Sequence, residues 1–189
     1  MNNNEISLKW KPITVADVQR KGGKQVLDRG VYLWCLERTT KSNLQYIIAY
    51  VGKANIIGDR LRDQIAGIQE HNSLLFNLPE TPISEDNENE ALYIKYVPGH
   101  DSRTECAPPD LVQRNLDRYR FFYASLEAYP DVEPEDVEGA IQLHLFRNPI
   151  TRKYLITAVS SYRLRSRLLI NDTGGATILG LEGSISTPS

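Results

Sequence analysis

Two runs of β-forming residues stand close together and constrain the fold more than any other feature. Gly30-Val31-Tyr32-Leu33-Trp34-Cys35-Leu36 and Gln45-Tyr46-Ile47-Ile48-Ala49-Tyr50-Val51 are separated only by the polar stretch Glu37 to Asn43. Such spacing predicts an antiparallel hairpin. The period then changes. Between Asn55 and His71, Leu61, Ile65 and Ile68 fall at i, i+4 and i+7, the stripe of an amphipathic helix. A hairpin with a helix behind it is therefore the expected nucleus.

The rest is read around it. Thr14 before Val15-Ala16-Asp17-Val18 predicts a short capped helix. Residues 79–90, acidic and with two prolines, form an expected loop, as do residues 98–109. Ala91 to Val97 is expected to be a third strand and Leu111 to Tyr129 a helix. Pro134 suits the first turn of another helix, with Glu133, Glu135 and Asp136 at its positive end, running to about Phe146. From Tyr154 two more strand-like runs flank the turn Asn171-Asp172-Thr173-Gly174-Gly175. The expected class is α+β: a small antiparallel sheet flanked by helices, with additional C-terminal strands. The division is an N-terminal extension (1–29), a core (30–150) and a C-terminal β extension of the same domain (151–189).

Several function classes are excluded. With 22 Lys and Arg against 24 Asp and Glu, the formal net charge of −2 is that of no bulk-charge nucleic-acid coat, although a local basic face is compatible with it. No run of 18 apolar residues occurs, so no spanning helix or membrane partner is expected, and the polar start is not that of a secretory signal. Cys35 and Cys106 are 71 positions apart, which is no disulfide framework or four-Cys zinc site, and a reduced cytoplasm is the expected compartment. His100, Asp101, Glu105 and Cys106 have no zinc-ligand spacing.

Gly30-Val31-Tyr32 is followed eighteen residues after its tyrosine by Tyr50-Val51-Gly52-Lys53-Ala54-Asn55, and Arg60 stands eight positions after Gly52. Over residues 30–62 this resembles the GIY-YIG nuclease family, and the Lys-Ala pair is similar to the nuclease domain of the bacterial excision-repair incision subunit. The resemblance implies a DNA endonuclease using Mg²⁺ or Mn²⁺, with Tyr32, Tyr50 and Arg60 lining a cleft. It also implies one metal-binding carboxylate on a later helix. Glu138, followed by Ile141, matches that position best, and Glu135 one turn earlier is the alternative.

The chemistry is consistent with these residue types. Phosphodiester hydrolysis needs a water, a base, a cation for the developing charge and help for the leaving oxygen. An arginine can fork onto two phosphate oxygens. A tyrosine titrates near 10 and is a poor base at neutral pH unless its surroundings lower that value. The chain departs from the family at Gln64, where a His or Tyr often stands, so Lys53 is the candidate for the missing base or for a second phosphate contact.

No Asp or Glu occurs from Gly139 to Asn171, a window holding Arg147, Arg152, Lys153, Arg163, Arg165 and Arg167. If 162–168 is a strand, Arg163, Arg165 and Arg167 share one side and, with Lys153, form a candidate nucleic-acid contact. Two readings compete with a nuclease: a catalytically inactive nucleic-acid-binding module of the same fold, and an interaction protein unrelated to nucleic acid.

Overall fold

In the computed structural model, residues 5–19, 26, 28–41, 43–70, 75–87, 92–94, 108–156, 163–164 and 167–187 are described. Their elements, in chain order, begin with β1 (Glu5–Lys9), β2 (Lys11–Ile13), α1 (Val15–Gln19), β3 (Gly30–Thr39), β4 (Leu44–Ala54), α2 (Ile57–Gln69), β5 (Leu75–Asn77) and β6 (Ile83–Ser84). They continue with β7 (Leu92–Ile94), α3 (Pro109–Arg118), β8 (Tyr119–Ser125), α4 (Pro134–Arg147), α5 (Pro149–Arg152), β9 (Leu168–Asp172), β10 (Thr177–Leu179) and β11 (Ser184–Ser186). The protein is α+β.

The expected hairpin forms the centre. β3 and β4 pair antiparallel from Gly30 opposite Ala54 to Thr39 opposite Leu44. The main sheet runs β10-β4-β3-β8-β2, with β6 beside the far end of β3. Its inner pairs are antiparallel, while β10 and β6 join in parallel, so the sheet is mixed at its margins.

Both faces of β3 are covered, which is why its sequence is apolar almost throughout. Tyr32, Trp34 and Leu36 pack into one core with Ile57, Leu61, Ile65 and Ile68 of α2. Val31, Leu33 and Cys35 pack into the other with Val137, Ala140, Ile141 and Leu145 of α4. The stripe read on α2 is thus its buried face. α4 begins at Pro134, as expected, and ends just before Pro149.

The structure corrects the expectation of one helix from Leu111 to Tyr129. α3 stops at Arg118, and Tyr119–Ser125 is a strand in register with β3, Tyr32 lying opposite Tyr123. The reason is packing on both sides: Phe121 enters one core and Phe122 the other, an alternation that a helix cannot provide.

Strands also arise in the segment read as an N-terminal extension. β2 pairs with β8, and β1 pairs parallel with β9 in a small sheet ordered β1-β9-β11. Gly174 and Gly175 have φ of 61° and 89° at the expected turn, a region that favours glycine. The strands on either side of that turn belong to different sheets. β7 covers part of the expected third strand and pairs with β5 rather than with the hairpin. Among the described residues no helix is long and apolar enough to cross a membrane. The loop holding His100, Asp101, Glu105 and Cys106 lies outside the described residues, as does His71.

Candidate functional site

The register of β3 and β4 shifts between Trp34 and Cys35: Trp34 opposes Tyr50, but Cys35 opposes Ile48. Ala49 is therefore an extra residue in β4. A bulge of this kind bends the strand and redirects its side chains, and such bulges are common beside active sites. The Ala49 carbonyl, outside the β3 ladder, accepts from the Ile156 N–H at 2.8 Å.

Beyond the bulge, Tyr50 lies against Trp34 and Tyr32, with ring centroids 5.1 and 6.1 Å away. Gly52, opposite Tyr32, leaves room for this aromatic group. A Cβ there would lie 2.3 Å from Tyr32 Cζ and hydroxyl and 2.6 Å from Tyr50 Cε1. The Trp34 indole N–H donates to Gln64 Oε1 at 3.0 Å. Gln64 is thus a hydrogen-bond support for the sheet face.

The two phenols differ. Tyr32 is fully buried, and its hydroxyl has no hydrogen-bond partner of good geometry among the described residues. Burial, then the neighbouring Tyr50, pushes its pKa well above the ordinary tyrosine value, while Arg60 pulls the other way. Tyr32 is accordingly a neutral phenol at physiological pH. Tyr50 is only half-buried.

Arg60, in the first turns of α2, is exposed. Partial burial opposes its charge, but the contact with Tyr32 and the influence of Tyr32, Tyr50 and Asp63 outweigh this and raise its pKa. The two tyrosines and Arg60 therefore form one group, with Tyr32 inside and Arg60 outside. The α2 N-terminus beside them is occupied: the Ile57 and Gly58 N–H groups donate to the carbonyls of Asp28 and Val26.

Lys53 alternates to the opposite face, toward α4. Its ammonium pairs with Glu135 at 2.8 Å. This pairing holds the Glu135 carboxyl below the usual carboxylate value, with Arg163 adding to the effect. Glu138, one helical turn further, is only 9% exposed. Burial raises its pKa, Lys53 lowers it, Glu135 raises it and Arg60 lowers it, with a net rise. α4 packs on the face opposite α2, yet Glu138 sits at the end of the sheet, where the charges of Lys53 and Arg60 both act on it. A cleft of about 270 Å³ opens at Lys53 and Glu135, lined by these two with Ala54, Asn55, Glu133 and Pro134; Tyr32, Tyr50, Arg60 and Glu138 are not among its lining residues.

The other residues read as nucleic-acid contacts do not make one stripe. β9 begins at Leu168, so Arg163 and Arg167 precede it and the condition of a strand over 162–168 fails at both. Arg163 is exposed; its backbone N–H donates to Asp136 at 2.6 Å, and its charge acts on Glu135 at the cleft. Arg167 faces Asp131 at 3.6 Å. Lys153, just after α5, lies over the Tyr154 ring. Arg165 is outside the described residues.

The sequence reading missed Trp34, although it lies two positions after Tyr32 and so on the same strand face. It also missed Asn55 and Glu133 of the cleft, which only long-range pairing brings together.

Among the described residues no group of three or more His, Cys, Asp or Glu is placed to hold a metal ion. Glu138 is nevertheless a suitable lone ligand: its carboxylate is largely buried and has no hydrogen-bond or ion-pair partner among the described residues. Such an oxygen donor suits Mg²⁺ or Mn²⁺, which keep several waters when few protein ligands are offered. The chain matches no family model, no curated protein and no solved structure.

Proposed function

We propose that this chain is a GIY-YIG-like endonuclease that hydrolyses DNA phosphodiester bonds with the help of one Mg²⁺ or Mn²⁺, at the end of the β3–β4 hairpin. The observation that carries this reading is the group formed by Tyr32, Tyr50 and Arg60, with Glu138, which has no hydrogen-bond or ion-pair partner among the described residues, within electrostatic reach of Arg60. In the reaction, a water oxygen attacks phosphorus and gives up its proton to bulk solvent, the bond to the leaving oxygen breaks, and that oxygen takes a proton from solvent.

Arg60 binds the non-bridging oxygens as their charge grows. Tyr50, which reaches solvent, orients the attacking water. Tyr32 is too buried to meet it and serves as a positioning residue for Arg60. Glu138 would hold the metal, which would supply Lewis-acid stabilisation of the phosphoryl oxygens. Lys53 is paired and partly exposed, without the desolvated setting of a general-base lysine, so it contacts a phosphate across the cleft.

The test is nicking of supercoiled plasmid in Mg²⁺ against EDTA. The wild type nicks only with metal, and Glu138→Ala does not nick. Nicking by Glu138→Ala at the wild-type rate would remove the metal assignment. One observation favours a second reading, a binding module without catalysis: Gln64 is engaged by Trp34, so no acid–base group stands at that position. A gel shift of DNA with no nicking in Mg²⁺ or Mn²⁺ would establish that reading instead.

A further inference from the structure

The junction of α4 and α5 exposes large apolar side chains that the site does not use. Phe146 is 40% exposed and Ile150 64%. The Arg152 guanidinium lies over the Phe146 ring, 4.4 Å from its centroid. Arg147 and Lys153 are exposed on the same corner, which lies inside the stretch from Gly139 to Asn171 that contains no Asp or Glu.

The corner is firmly built. Thr151 Oγ1 donates to the Leu145 carbonyl at 2.6 Å, and the Asn148 side chain accepts from the Ile150 N–H at 2.9 Å. Gly180 packs so closely that a Cβ would approach Leu145 and Thr151 to 2.7 and 2.8 Å. The apolar groups are thus displayed by a fixed scaffold. The corner stands at the end of α4 away from Glu138, with Phe146 about 12 Å along the helix from it at 1.5 Å per residue. The chain after it is tied to the sheet near the site: Tyr154 is buried in the core with Tyr32 and Trp34, and Ile156 bonds to Ala49, the bulge residue before Tyr50.

We propose that this corner is a stacking platform for unpaired nucleotides. It follows, resting on the nuclease reading above, that the preferred substrate carries a single-stranded segment beside the bond that is cut. An aromatic ring with a stacked guanidinium offers a surface on which any base can lie, while neighbouring cations take the phosphates. A duplex hides its bases and would leave Phe146 and Ile150 unused, as would an acidic peptide bound by charge alone. A membrane-surface helix needs a long apolar face, whereas α5 spans only Pro149–Arg152.

The experiment measures binding of the full chain, in EDTA, to a fluorescent oligothymidylate and to a duplex of equal length. Phe146→Ala is expected to weaken single-strand binding by about tenfold, as for loss of one stacked base, and to leave duplex binding unchanged. Phe146→Trp should restore it. Ile150→Ser, at the most exposed position, provides a second variant with the core untouched. Unchanged single-strand binding by folded Phe146→Ala, or an equal loss on duplex, overturns the proposal. So does Phe146-dependent binding to phosphatidylserine vesicles without binding to the oligonucleotide. Because EDTA stops metal-dependent cutting, failure of the nuclease reading leaves this result legible. Conversely, equal cutting of duplex and of single-strand-bearing DNA removes only the substrate preference.

Discussion

At the end of β3 and β4 the side facing α2 and the side facing α4 are built in contrasting ways. Toward α2, Tyr32, Trp34 and Tyr50 are fixed by one another, by the bulge at Ala49 and by the space above Gly52, and Arg60 leans on that aromatic group. Toward α4, Lys53 and Glu135 are held mainly by their own ion pair at the rim of a cleft, and Glu138 is buried without a hydrogen-bond or ion-pair partner among the described residues. The first side is packed before any ligand arrives. The second carries charges that a phosphate or cation can rearrange at little expense. The contrast separates positioning from binding: packing aims the arginine, and the loose charges meet the substrate.

The sharpest attack on the contrast is at Arg60. It is exposed, so Arg60→Ala should leave the melting temperature almost unchanged. Plasmid nicking should nevertheless fall by about 10²–10³, the effect of removing one donor to a developing oxyanion, about 2.7–4 kcal/mol of barrier. Similar losses of stability and rate would mean that Arg60 is merely structural.

The packed side is tested next at Gly52. Gly52→Ala places a methyl against Tyr32 Cζ and hydroxyl and Tyr50 Cε1, closer than contact allows, so the rings must move. A destabilisation of about 1–3 kcal/mol is expected in urea, with nicking lost through misplacement of Tyr50 and Arg60. Wild-type stability would show that the aromatic group is loosely held.

A smaller effect, opposite in sign, is expected at Tyr32. Among the described residues its buried hydroxyl has no hydrogen-bond partner of good geometry, only the contact with Arg60, and leaving such a group unsatisfied costs about 1–3 kcal/mol. Tyr32→Phe should therefore stabilise the fold by about 1 kcal/mol. The pH dependence has a definite sign. The folded-state pKa lies above the unfolded value near 10, so the folded protein keeps a proton that the unfolded chain releases, and stability falls as pH rises from about 10. Tyr32→Phe should flatten that decline in alkaline urea titrations. Part of it remains through Tyr119 and Cys35, whose burial raises their pKa values in the same way. An unchanged slope would place the Tyr32 hydroxyl in contact with water.

How far this arrangement was legible depended on the range of the interactions. The hairpin, α2 and α4 were readable because alternation, the Leu61-Ile65-Ile68 stripe and Pro134 with its acidic neighbours are local signals. β8 was not, since Tyr119–Ser125 follows α3 with no Gly or Pro between them, and only the open edge of β3 selects the strand. The bulge was hidden because one extra alanine leaves the apolar run of β4 intact. β1 was hidden because its partner β9 lies far along the chain, Leu8 opposite Asn171. At the site, spacing alone indicated Tyr32, Tyr50 and Arg60. The meeting of Lys53 with Glu135, and of both with Glu138, depends on how α4 crosses the sheet. The alternation of Arg163, Arg165 and Arg167 suggests a face that exists only if the segment is extended; instead the Arg163 backbone N–H donates to Asp136 and the Arg167 guanidinium faces Asp131.

The smallest effects on stability, and the most discriminating on binding, are expected on the open side. The Lys53 and Glu135 side chains are 36% and 64% exposed, and such pairs add little to a fold. Lys53→Met and Glu135→Gln should both melt with the wild type. Their cleavage should move in opposite directions. Lys53→Met removes a phosphate contact present before and during reaction, so KM rises while kcat holds. Glu135→Gln frees the same ammonium for the phosphate, so KM falls. The double variant should match Lys53→Met in KM, because the effect of Glu135 on the phosphate contact runs through Lys53, while its separate charge effect on Glu138 would show in the Mg²⁺ dependence. If Glu135→Gln instead lowers kcat and raises the Mg²⁺ concentration needed for cutting, Glu135 belongs with Glu138 as a metal ligand. The pair at the cleft would then be a competition between lysine and metal for one carboxylate.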